Sequence, residues 1–65
     1  MYTVAYRKPN TSRAEHKTLR TKQSALEFAQ SRAIYHDEIA EVFKEQQLTI
    51  RYWYNEEFGL QYVEY

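Results

Sequence analysis

Few residues in this chain are of a type and spacing that could carry out a reaction. They are His16, His36 with Asp37-Glu38 directly after it, and Glu56-Glu57. Nucleophilic catalysis needs a nucleophile beside a base, acid–base hydrolysis needs paired carboxylates, and metal chemistry needs several spaced ligands. Neither histidine has a second His or Cys at ligand spacing. Cysteine is absent, which removes disulfides and thiolate-held zinc or iron–sulfur centres. Asp37-Glu38 reads as a solvated loop rather than an ion site, and Glu56-Glu57 as a charged turn. The single glycine cannot build a phosphate-cradling loop. The chain is expected to be a non-enzyme without cofactor or metal.

Binding chemistry is better represented. Leu48-Thr49-Ile50-Arg51-Tyr52-Trp53-Tyr54 is the longest run of β-branched and aromatic residues, uninterrupted by Gly or Pro. In an extended chain Leu48, Ile50, Tyr52 and Tyr54 point one way, towards a core, and Thr49, Arg51 and Trp53 the other. Trp next to Arg is a frequent combination at binding surfaces. If all strands join one sheet backed by a helix, the uncovered side gathers Thr3, Ala5 and Arg7; His16, Thr18 and Arg20; Thr49, Arg51 and Trp53; and Gln61, Val63 and Tyr65. Arg7, Arg20, Arg51, Trp53 and Tyr65 are the candidate contact residues. Such a face could anchor a protein partner, or stack bases and touch phosphates. It could also be inert, with Trp53 folded over Arg51 or Arg20 to seal a thin sheet. A second candidate is the basic loop Arg7-Lys8-Pro9-Asn10-Thr11-Ser12-Arg13, with Lys17 nearby. Lys8, Arg13 and Lys17 there are either solvated or a basic finger for phosphates or an acidic groove.

The elements that must position these residues follow from patterning. Tyr2 to Lys8 alternates as a half-buried strand, Pro9 to Ser12 is turn chemistry, and Glu15 to Thr21 resumes as a polar, edge-type strand. A helix starts at Thr21-Lys22-Gln23-Ser24-Ala25-Leu26-Glu27, capped by Thr21, or by Ser24 with Glu27 closing a capping box. Ala25, Ala29 and Ala33 form its inner stripe, Leu26 and Phe28 are its larger anchors, and it ends around Ile34 to His36. Residues 37–45 fit either a longer helix or a strand. The strand is preferred because Val42-Phe43 is β-prone and residues 48–54 need a hydrogen-bonding neighbour. Glu45-Gln46 is a poor turn pair for the hairpin this implies. Asn55-Glu56-Glu57, aided by Gly59, turns the chain into a last strand over Phe58 to Tyr65. The expected fold is α+β: one helix on one face of a four- or five-stranded antiparallel sheet, in the order β-β-α-β-β-β.

Sixty-five residues make a single domain of marginal core size, so seven Tyr, three Phe and one Trp must supply most of the buried area. The formal charge is zero but segregated. Residues 1–36 carry seven Lys/Arg against Glu15 and Glu27, whereas residues 37–65 carry seven acids against Lys44 and Arg51. The halves would attract each other within the fold or head to tail between copies, or else expose a basic surface. No window has the ~18 apolar residues of a membrane span, and no signal peptide is evident. A cytoplasmic location without membrane contact is expected.

A hairpin, a helix opened by Thr21-Lys22-Gln23-Ser24-Ala25-Leu26-Glu27 and a Tyr- and Trp-rich meander resemble very small phage and prophage proteins. Among them the pattern is similar to the small anti-CRISPR inhibitors, whose one helix backs a bent antiparallel sheet. The likeness spans the whole chain as an order of elements, without a shared motif. It implies a non-catalytic protein that binds and blocks a host protein or nucleoprotein complex. A sheet-face nucleic-acid binder and a homodimeric structural protein are the alternatives.

Overall fold

The alternating patterns become strands, and the 3.6-residue pattern the helix. The computed structural model describes residues 1–65 and has the elements β1 (Tyr2–Arg7), β2 (Glu15–Leu19), α1 (Lys22–His36), β3 (Ile39–Lys44), β4 (Gln47–Asn55) and β5 (Gly59–Glu64). All five strands form one antiparallel sheet in the order β2-β1-β3-β4-β5, with α1 on one face. The fold is α+β, as the patterning predicted, and residues 39–44 are strand rather than helix.

Thr21 is the N-cap, its hydroxyl accepting the Ser24 amide at 3.1 Å, so the first of the two predicted caps is used. The helix stops at His36 because Asp37 turns left-handed (φ 52°) and the Glu38 amide reaches back to the Arg32 carbonyl at 3.3 Å. Lys8 donates to the His36 carbonyl, tying the β1–β2 loop to the helix end. In the β3–β4 hairpin, Glu45 and Gln46 both take positive φ (50° and 73°), the requirement of a two-residue turn that normally selects Asn-Gly. The β4–β5 turn is held by Asn55, whose Oδ1 accepts the Glu57 and Phe58 amides, and leaves through Gly59 at φ 80°.

Ala25, Ala29 and Ala33, spaced four apart, let α1 lie directly on Val4, Ala40, Val42, Ile50 and Tyr52. On one flank of the helix, Phe28 meets the Tyr6 ring edge-on at 5.4 Å and the Arg32 guanidinium lies over Tyr6 at 4.3 Å. On the other flank, Gln30 donates to the Tyr52 hydroxyl at 3.0 Å. Only ten of 65 residues are buried, and five of them are alanine, so the core is a thin layer.

One register shift breaks the predicted alternation. Ile50 pairs with Val42, but Leu48 pairs with Phe43, leaving Thr49 as an extra residue. A β-bulge of this kind changes which side the residues beyond it face. Leu48, expected in the core, shares the uncovered side with Phe43, and Thr49, expected there, lines the helix side. The Thr49 hydroxyl fixes the bulge by donating to the Val42 carbonyl at 2.9 Å.

Candidate binding face

The face opposite α1 can be read in rows across the strands. The middle row runs His16, Ala5, Glu41, Arg51, Val63, and the row beside it Thr18, Thr3, Phe43, Leu48. At the other end, Arg7 pairs with Ile39 and Trp53 with Gln61. Ile39 and Trp53 also share a shallow hollow of about 440 Å³ with Pro9, Arg51 and Tyr54. Ile39, Phe43, Leu48 and Trp53 are all half-buried, and none belongs to the core under the helix. No buried side-chain nitrogen or oxygen lacks a partner, so the Trp53 indole N–H opens to solvent.

Arg51 is the charged centre of this face, and it is already engaged. Its Nε and Nη2 both donate to Glu41 Oε2, at 3.0 and 2.7 Å, across the β3–β4 ladder. The Tyr65 ring lies 5.9 Å from the guanidinium. The hydrogen bond that Arg51 donates to Glu41 raises the Arg51 pKa, opposed by desolvation and helped by the charges of Glu41 and Tyr65. Arg51 therefore carries a permanent charge, and Glu41 neutralises it locally. It is Tyr65, not Trp53, that covers this arginine.

The other candidate residues are dispersed. Arg7 stands on the face, but its Nη1 donates to the Thr11 carbonyl at 3.2 Å and braces its own loop. Arg20 lies beyond the end of β2, in the link to the helix and on the sheet margin away from Tyr65. The structure thus unites Arg51, Trp53 and Tyr65, places Arg7 at the end of the same face, and leaves Arg20 out. In the basic loop, Lys8 is held by the helix end. Arg13 is exposed, and Lys17 pairs with Val4, which puts it on the helix side of β2.

Phe43, Leu48 and Ile39 were missed as face residues. Ile39 and Phe43 alternate with the buried Ala40 and Val42, so their side follows once 39–44 is read as strand. Leu48 carries no such signal, because only the bulge turns it outward.

The two charged halves form just one ion pair with each other, Arg32 with Glu38 at 2.6 Å. Arg13, Lys17 and Arg20 stay exposed without an acidic partner along the β2 margin. Glu56, Glu57 and Glu64 do the same along the β4–β5 margin. No helix is long and apolar enough to cross a membrane. No protein-family model, curated protein or solved structure matches the chain.

Proposed function

We propose that this chain is a small, non-catalytic, cytoplasmic binding module that docks a protein partner on the uncovered sheet face. A phage-type inhibitor of a host protein or nucleoprotein complex is the form of that activity the element order suggests. The observation that supports it is the character of the face: Ile39, Phe43, Leu48 and Trp53, half-buried, surround an Arg51 already neutralised by Glu41. Aromatic anchors beside a paired arginine suit a protein hot spot, whereas a phosphate backbone needs free positive charge. Affinity capture from bacterial lysate with wild type, Trp53→Ala and Lys17→Ala tests it. The expected result is a protein recovered by wild type and Lys17→Ala and lost with Trp53→Ala, whose activity the wild type inhibits. Recovery of the same proteins by all three, with circular dichroism unchanged, overturns the reading.

One observation favours nucleic acid as a second reading, namely the unpaired Arg13, Lys17 and Arg20 along β2. Titration with single-stranded oligonucleotides at two salt concentrations decides it. Binding through three phosphates would weaken with a log–log slope of about −2. Absence of salt-sensitive binding removes this alternative.

A further inference from the structure

The two outer strands of the sheet differ in how they are protected. β2 is short and charged, with Glu15, His16 and Lys17 in its five residues, which discourages another strand from pairing with it. β5, Gly59-Leu60-Gln61-Tyr62-Val63-Glu64, has no lysine, proline or bulge. Its phase is also defined. The Tyr65 amide donates to the Thr49 carbonyl at 2.9 Å, so residues 59, 61 and 63 exchange backbone bonds with β4. The N–H and C=O groups of Leu60, Tyr62 and Glu64 consequently point outward, and only the Leu60 carbonyl among them has a partner, the Gln61 side-chain amide, which donates to it at 3.3 Å.

Apolar surface accompanies that open edge on both sides. Tyr62 is 58 % exposed on the helix side, Val63 is 41 % exposed on the other, and Phe58 at the turn is 72 % exposed. The helix does not reach far enough to cover this margin. A helix about 10 Å across cannot span five strands about 4.8 Å apart, and α1 lies chiefly over β3, β1 and β4. It leaves a groove of about 590 Å³ between Leu26 and Gln30 on the helix and Ile50, Leu60 and Tyr62 on the sheet.

The acids decide the occupant. Lys22 and Lys44 line the groove near Glu64, whereas Glu56 and Glu57 stand at the hairpin tip with no basic partner. We propose that β5 is a strand-addition site: an extended segment of a partner protein pairs antiparallel with Leu60, Tyr62 and Glu64. Alternate apolar side chains of that segment enter the groove beside α1, and basic residues at its C-terminal end face Glu56-Glu57. Backbone bonds supply the affinity, and the groove with its acidic end the selection, as in other strand-addition interfaces. A second copy of this chain meeting β5 to β5 would bring Glu56, Glu57 and Glu64 against their own like charges. The site does not depend on the uncovered face.

The test uses a capped peptide of alternating valine and threonine ending in two lysines, followed by amide NMR. Binding with a Kd below about 1 mM, with exchange protection confined to Leu60, Tyr62 and Glu64, is expected. Replacing the two lysines by glutamates should weaken it about tenfold or more. Of the two alternating N-methylation patterns of the peptide, one should abolish binding and the other keep it. Tyr62→Pro removes an outward N–H and should abolish binding, Tyr62→Ala should retain it in part, and Trp53→Ala should leave it unchanged. Equal tolerance of both N-methylation patterns, or equal binding of the lysine and glutamate peptides, overturns the proposal. So does protection of the same amides by protein concentration alone, which would make a second copy the occupant.

Discussion

Glu38 is the one acidic residue that the fold buries, and Arg32 makes this affordable. The carboxylate accepts from Arg32 Nε at 2.6 Å, while the guanidinium stacks on Tyr6. Removing one partner of a buried pair is costlier than replacing both with apolar groups, because the survivor is left charged and unsatisfied. Arg32→Met should therefore cost about 2–3 kcal/mol in urea unfolding, and Arg32→Met with Glu38→Leu distinctly less. A double variant as unstable as the sum of its singles would show that the pair is not the cause. The Arg51–Glu41 pair is more open, its side chains 40 % and 20 % exposed, and solvent screening holds it to about 0.5 kcal/mol. The folded Arg51 pKa is raised, so its contribution is complete below the unfolded pKa and lost only as pH rises through the folded one. The stability difference between wild type and Arg51→Met should therefore stay flat between about pH 6 and 9. A slope there would assign the effect to another group.

Among the elements, the β3–β4 hairpin forms in spite of its turn residues. Glu45 and Gln46 both occupy the left-handed region, where a side chain costs about 1 kcal/mol per residue relative to a residue suited to it. Glu45→Asn with Gln46→Gly should raise unfolding stability by about 1–2 kcal/mol, with β3–β4 amide shifts preserved. A neutral or destabilising outcome would mean that the turn is not strained. The helix gives the opposite case, a site with no room. Ala29 is fully buried against the sheet, and Ala29→Leu should cost about 1–3 kcal/mol by pushing α1 away. The helix limits, the order of elements along the chain and the preference for strand over helix at 37–45 were legible in the sequence, and the cap was narrowed to Thr21 or Ser24. The reasons are local: a capping hydroxyl three residues before a bonded amide, and a period of 2 or 3.6. The positions of Leu48 and Thr49 were not, because the bulge depends on a hydroxyl reaching a carbonyl on the neighbouring strand.

At the scale of the whole molecule, the order β2-β1-β3-β4-β5 lays the linear charge asymmetry out in space. The unpaired Arg13, Lys17 and Arg20 in and around β2 and the acidic β4–β5 turn occupy opposite margins instead of neutralising each other. Sequence alone could not distinguish these outcomes, since strand order, not composition, sets which margins meet. The same order separated Arg20 from Tyr65, which alternation had assigned to one face. Each margin therefore repels itself. Raising salt from low to physiological ionic strength should increase the melting temperature slightly, by less than about 1 kcal/mol equivalent. A clear fall with salt would show that attraction between the halves dominates after all.

The extra residue in β4 also bears on how kindred sequences should be compared. Deleting Thr49 would restore a regular ladder in which Leu48 still meets Phe43 and Ile50 still meets Val42. A homologue one amino acid shorter at that point would seem to break the alternating pattern, yet its inside and outside would be the same. An alignment gap belongs there, and a lineage can gain or lose that letter without rewriting either side of the ribbon.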